Sequence, residues 1–269
     1  MKLPTYFISH GGGPWPWVES LRSLFARTER ELTALPGRWP SRPRAVLMVS
    51  GHWESQTFTV SSADHPGMEY DYHGFPAHTY EIRYPAPGDP ALAARVLSLL
   101  TRAGLDGRSD ERRGLDHGVF VPMHCMYPGA DMPVVMLSLK QGYDPLEHFQ
   151  AGQALAPLRE EGVLIMGSGL TYHDMRGFGT RAATPIARDF EQFLADAVGQ
   201  SDPTQRRDSL LNWASGPQAR RAHPREDHLI PLLVAAGAAA QEAGRRLFLD
   251  HALEVDMGSY EFGGTPPAA

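Results

Sequence analysis

Cysteine is almost missing from this chain: of 269 residues only Cys125 carries a thiol. An intrachain disulfide is thereby excluded, and the expectation is a fold held by its apolar core in a reducing compartment. Positive charge is also in short supply. Against 25 Lys and Arg stand 31 Asp and Glu, a net charge of −6 with both signs mixed along the chain, so binding to nucleic acid or to an anionic membrane has no electrostatic basis. No apolar run is long enough to span a bilayer. The N-terminus passes straight into a strand pattern without the apolar core of a signal peptide, and the expected location is cytoplasmic. Interior linkers are lacking too, so residues 1–263 read as one domain, with 264–269, a short tail rich in proline and alanine, expected to be mobile.

What the chain does have is histidine, and in a repeated setting. The run AVLMVSGHWES, beginning at Ala45, is apolar on both alternating sets, as expected of a strand buried on both faces, and it breaks at glycine before His52. Thr5 to Ser9 is a second apolar strand, followed by His10 and the turn Gly11-Gly12-Gly13-Pro14. Gly162 to Gly167, GVLIMG, is a third, with His173 a few residues on. Each histidine thus follows a core strand, at the edge of an open α/β sheet where ligands bind. Any one of them is an ordinary loop histidine on base rates; three in one placement converge on one crest. Strands alternating with helical patterns give an α/β class, a three-layer α/β/α domain around a mostly parallel or mixed sheet.

The remaining segments fill in this frame. Val18 to Leu35 has apolar residues at helical spacing and is expected to be one covering helix, Thr57 to Ser61 a sheet-edge strand, and Ala91 to Ala103 a helix begun by Asp89-Pro90. Met68 to Asp89 is an irregular stretch dense in aromatics, with His73, Phe75, His78 and Tyr80 as candidates for a pocket wall against the plain alternative of a packed loop. Asp116 precedes His117 in a glycine-containing turn, where His117 can serve as acid, base or donor; His124 and Cys125 lack metal-site spacing. Pro133 to Leu139 reads as a strand, and Pro145 to Leu158, Thr184 to Val198 and Gln205 to Ala214 as packing helices. Leu229 to Ala243 reads as a helix whose Pro231 must lie in the first turn, which puts His228 near the helix start beside Asp227; Glu254 to Gly263 closes the chain as a strand.

Neutral imidazoles on separate rigid elements suit Zn, Fe or Cu, and three histidines with an open position make a catalytic rather than a structural site. Two enzyme readings follow. One is a zinc hydrolase acting through a bound water; the other is a non-haem Fe(II) oxygenase, whose usual triad adds one carboxylate, here Glu54, Asp174 or Glu226. A non-catalytic interaction protein is the rival from another class. These residues alone leave the metal open.

Longer motifs narrow the choice. SHGGGP at Ser9 to Pro14, SGHWES at Ser50 to Ser55, YHGFP at Tyr72 to Pro76, RYPAPGDP at Arg83 to Pro90, RGLDHGVFVP at Arg113 to Pro122, GSG with its following histidine at Gly167 to His173, and EDHLIPL at Glu226 to Leu232 run in order through the chain. In these the chain resembles the DODA-type extradiol ring-cleavage dioxygenases, of the superfamily of the protocatechuate 4,5-dioxygenase catalytic subunit. The resemblance implies Fe(II), with Zn(II) an occupant in purified protein, bound by His10, His52 and His228, and a catechol-type substrate cleaved with O2. It implies His173 as the catalytic base or a fourth ligand and His117 as a second catalytic group at substrate or oxygen. His73, Phe75 and Tyr172 are the expected substrate-binding residues, and Arg83 or Arg176 can meet a carboxylate. One departure stands out: asparagines often flank the family's histidine after GSG, where this chain has Leu170 and Asp174. That bears on the hydrogen bonding of His173 and on substrate choice. Neither the catechol nor the oligomeric state is written in these motifs.

Overall fold

A computed structural model describes residues 2–39 and 41–264 of the chain. The strands are β1 (Thr5–Ser9), β2 (Ala45–Ser55), β3 (Phe58–Ser61), β4 (Gly107–Asp110), β5 (Val134–Lys140), β6 (Val163–Gly169), β7 (Gly244–Ala252) and β8 (Val255–Phe262). The helices are α1 (Glu19–Arg22), α2 (Ala26–Ala34), α3 (Pro90–Arg102), α4 (His117–Met126), α5 (Pro145–Leu155), α6 (Ala183–Gly199), α7 (Pro203–Leu211), α8 (Ala219–Ala222) and α9 (Ile230–Ala238). All the strands join one mixed sheet in the order β4-β3-β5-β2-β6-β1-β8-β7. Its centre, β5-β2-β6-β1, is parallel, while β3 opposes β5 and β8 opposes both β1 and β7.

Side-chain alternation on the central strands builds two cores at once. Val46, Met48, Leu164 and Met166 pack into one, Leu47, Val49, Val163 and Ile165 into the other, and none of them reaches solvent. Burial of such a side chain contributes about 1.5–3 kcal/mol. Helices α3, α5 and α9 cover the second core through Val96, Leu155 and Val234. Helices α2, α4 and α6 cover the first through Leu32, Phe120 and Phe190. The result is the expected three-layer α/β/α arrangement. Helix α9 is buried on every side, which explains why its sequence is apolar throughout rather than amphipathic. No helix among the described residues is long and apolar enough to cross a membrane.

Several boundaries differ from the sequence expectation, each for a physical reason. The helix expected over Val18 to Leu35 is broken into α1 and α2 by a non-helical Phe25, whose ring is buried. Strand β3 is not at the edge, because β4, a short and largely exposed GRSD segment with no apolar pattern, pairs outside it. His52 does not follow β2 but lies within it, at an irregularity between Val49 and Glu54 where pairing to β5 shifts register. His117 opens helix α4 instead of sitting in a flexible turn. Helix α9 ends at Ala238, and the next segment turns into β7, whose outer face is partly solvated. Of the tail expected to be mobile, residues 265–269 lie outside the described residues.

Candidate metal centre and active-site cavity

Strands β1, β6 and β2 are adjacent and parallel, so they release the chain at one edge of the sheet. His10 follows β1, His52 stands near the end of β2, and His173 lies beyond β6. His228 arrives from the turn ahead of α9, and its carbonyl accepts the Leu170 N–H at 3.0 Å, tying that turn to the exit of β6. Close approach is possible because position 169 is glycine: a Cβ there would collide with the His228 carbonyl oxygen. Gly118 serves the same end, since a Cβ on it would lie 2.7 Å from Ser50 Oγ and 2.9 Å from His52 Cδ2.

The ring nitrogens meet at one point. His52 Nε2 is 3.1 Å from His10 Nε2 and 3.0 Å from His228 Nε2. What lies behind the rings determines which nitrogens carry protons. Pro122 lacks an N–H, so the Gly118 carbonyl one turn earlier in α4 has no helical partner and instead accepts the Ser168 hydroxyl. With its proton committed, Ser168 Oγ can only accept from His10 Nδ1, 3.0 Å away. Asp71 Oδ2 lies 3.1 Å from His52 Nδ1, and Asp227 Oδ2 3.3 Å from His228 Nδ1. Of the three rings only His10 has a hydrogen-bonded acceptor at Nδ1, while Asp71 and Asp227 lie close to the other two without hydrogen-bond alignment. Three buried Nε2 atoms drawn to about 3 Å of one another beside two carboxylates suit a cation.

Electrostatics agrees with that assignment. Burial, reinforced by the neighbouring histidines, holds His10 and His52 well below the ordinary imidazole range and lowers His228 to about 4. All three are neutral near pH 7 and able to ligate. Burial works against ionisation of Asp71, but its bonds to His117 outweigh this and keep the carboxyl below its usual range. Asp227 behaves alike: burial opposes its charge, and contacts with His173 and His228 overcome that. Within ligand-sharing distance of one another lie His10, His52 and His117, and likewise His173, Asp227 and His228. The His173 ring stacks on His228, with centroids 3.4 Å apart and planes at 17°, while its Nδ1 is 3.5 Å from Asp227 Oδ1. His117 Nδ1 is hydrogen-bonded to Asp71 Oδ1 at 2.8 Å, and the same carboxylate lies against His52.

Comparison with known proteins bears on what this cluster does. The family model described as the catalytic LigB subunit of aromatic ring-opening dioxygenase matches residues 5–256. The chain belongs to this dioxygenase family. A protein of Hapsidospora irregularis named dioxygenase tasH is 38% identical over 285 residues, covering 97% of this chain and 86% of that protein. The 4,5-DOPA dioxygenase extradiol of Beta vulgaris is 37% identical over 271 residues, 97% of both chains. A crystal structure of an uncharacterized Escherichia coli K12 protein superposes with a TM-score of 0.77 at 29% identity, covering 97% of this chain and all of that one. The protein is therefore an enzyme of the ring-cleaving dioxygenase class, with the fold of that family.

In this dioxygenase the histidine cluster floors a cavity of about 510 Å³, within the usual range for small-molecule sites. His73 and Phe75 line it, along with His10, His52, His117, His173 and His228. Tyr172 does not. It is buried edge-on to Phe178, 5.4 Å between centroids, because the turn after β6 sends Leu170 and His173 to the cavity and Tyr172 into the core. His78 is exposed and bonds the Trp17 carbonyl, and Tyr80 packs on Tyr72 outside the cavity. Glu54, Asp174 and Glu226 pair with Arg225, Arg176 and Arg220, and none reaches the histidines as a carboxylate ligand. His124 packs at a tilt against Trp17, and Cys125 is buried. The sequence reading passed over Asp71, although it stands beside Tyr72 and His73 in the very stretch suspected of walling the pocket. Asp227, next to His228 in the chain, also turns its side chain toward His173 and His228.

Proposed function

We propose that the protein is a non-haem Fe(II)-dependent extradiol dioxygenase acting on a catechol-type substrate and O2, with the metal held by His10, His52 and His228. The observation that carries this reading is the meeting of three buried histidine Nε2 atoms, that of His52 lying 3.1 Å from His10 and 3.0 Å from His228, with the carboxylates of Asp71 and Asp227 beside the rings. Zn(II) fits the same nitrogens but has no redox chemistry, which favours iron for a ring-cleaving dioxygenase. When bound, iron supplies a template for both catechol oxygens and for O2, and a route for electrons between them.

The protein's own groups do the proton work. His173 is the base for a catechol hydroxyl, with Asp227 behind its Nδ1 to stabilise the charge it gains. Its parallel stacking on His228 supports this role over that of fourth ligand, since in-plane lone pairs of parallel rings do not converge on one ion. Asp71 holds the Nδ1 proton of His117, leaving Nε2 as the nitrogen that meets substrate or oxygen and moves a proton there during ring opening beside, not between, the two hydroxyls. Apolar walls exclude water while this occurs. The single cysteine supports a reducing, cytoplasmic setting.

Anaerobic loading with Fe(II) followed by oxygen-uptake and visible-absorbance measurements on a catechol panel tests the reading, with Zn(II)-loaded protein as control. Iron-dependent uptake with a yellow product is expected. His52→Ala should lose iron, whereas His173→Phe should retain iron and lose turnover by about 10²–10⁴-fold. Turnover with zinc, or a normal rate in His173→Phe, overturns it.

A further inference from the structure

Beside its histidines the cavity wall is largely apolar and without a cation. Leu21, Phe25, Met175, Phe178, Leu253 and Met257 supply the apolar lining. No lysine or arginine lines the cavity among the described residues. Cations next to the lining in sequence are already paired, Arg22 with Glu29 and Arg176 with Asp174. Tyr72 turns its hydroxyl to the Thr79 carbonyl at 2.5 Å, and Asp71, hydrogen-bonded to His117 and 3.1 Å from His52, is a carboxylate and offers nothing to a substrate carboxylate. The apolar character continues to the surface, where Met175 is 69% exposed beside the opening. Arg83, a sequence candidate for a substrate carboxylate, is exposed and does not line the cavity.

We infer that this cavity selects a catechol with an uncharged, apolar ring substituent, an alkyl or aryl chain, over amino-acid or carboxylate catechols. The inference rests on the ring-cleaving reading above and adds the substrate class. Its physical basis is the cost of taking a carboxylate out of water with no cationic side chain to receive it, set against the gain from burying a chain along leucine, methionine and phenylalanine. The cavity exceeds what a bare catechol ring fills, so the substituent has room to lie against these side chains. Relatives named 4,5-DOPA dioxygenase bear a name that implies a zwitterionic catechol; here the lining supplies no lysine or arginine for its carboxylate.

Two measurements decide the matter. Steady-state kinetics of the iron-loaded enzyme on 4-butylcatechol, catechol, DOPA and 3,4-dihydroxyphenylpropionate should give 4-butylcatechol the highest kcat/KM, by about tenfold or more over the charged pair, since each methylene in an apolar pocket is worth roughly tenfold or above. Calorimetric binding of 4-butylcatechol and DOPA to protein without added iron reads the same preference apart from turnover. Met175→Arg, an exposed change, should shift the kcat/KM ratio toward the carboxylate catechol by about tenfold. Equal or better use of DOPA or the acid overturns the inference and leaves ring cleavage standing, because the amides of Gly11 to Gly13 would then be receiving the carboxylate. Binding of 4-butylcatechol without turnover of any catechol strikes the ring-cleavage reading and keeps the assigned preference.

Discussion

Asp71 is the residue on which the arrangement of the site turns. One oxygen hydrogen-bonds His117 Nδ1 at 2.8 Å and the other faces His52 Nδ1 at 3.1 Å without hydrogen-bond alignment, so a single carboxylate fixes the tautomer of a proposed acid-base group and sets a negative charge beside a proposed ligand. The His117 backbone N–H also reaches Asp71, at 3.2 Å, joining the irregular aromatic segment to the start of α4. Removing the charge while keeping the shape isolates this role. Asp71→Asn is expected to weaken metal binding about 10–100-fold, the usual cost of losing a partner behind a ligating histidine. A competitive titration against a chelator measures this, and an unchanged affinity would remove Asp71 from the orienting role. Because Asp71 also steadies His117, turnover at saturating metal should fall as well, which separates a positioning residue from one that only helps hold the ion.

Among the elements, β6 and the turn before α9 set the geometry. The two backbones touch where Gly169 passes the His228 carbonyl, and the Leu170 N–H bonds to that same carbonyl. Gly169→Ala forces them apart. It is expected to cost about 1–3 kcal/mol by overpacking and to displace His228, so chemical unfolding should show lower stability and metal analysis a lower content; a variant with native metal content would break the link between strand exit and ligand. Much of this layout is legible in the chain. Apolar runs with a histidine near or shortly beyond their ends locate β1, β2 and β6, and parallel pairing then brings His10, His52 and His173 to one edge. Less legible were elements whose stability comes from pairing rather than pattern. Strand β4 is short and polar, and β7 follows an alanine-rich stretch whose helical propensity runs past the end of α9. Tyr172 misled because its side-chain direction depends on the turn after β6, and Asp71 escaped notice because an aspartate in an irregular loop has no periodicity to betray its partner.

Across the whole molecule, buried neutral histidines tie stability to pH. His223 is fully buried between Phe190 and Trp213, neither ring nitrogen finds a hydrogen-bond partner among the described residues, and burial pushes its pKa down to about 3. His228 is lowered to about 4 by burial and by His173, and His10 and His52 are lowered further than the ordinary range by burial. In the unfolded chain each of these titrates near 6.5. Below that pH the unfolded state binds more protons than the fold, so acid favours unfolding. The histidine contribution is complete above about pH 7 and shrinks as pH falls from 6.5 toward the folded values. At pH 5 each histidine kept neutral costs about 2 kcal/mol, so two or three of them match a large part of the 5–15 kcal/mol that holds a typical domain together. Urea unfolding of the chelator-treated protein between pH 7.5 and 5 should therefore give a steep loss of stability. His223→Phe replaces an imidazole lacking partners with a ring of similar shape in an aromatic setting, and is expected to recover about 2 kcal/mol of that loss at pH 5 with little change at pH 7.5. An equal acid slope in the variant would mean that His223 is protonated within the fold. Metal added back binds only the fold and only neutral nitrogens, so it should raise stability most at pH 7.5 and progressively less toward pH 5.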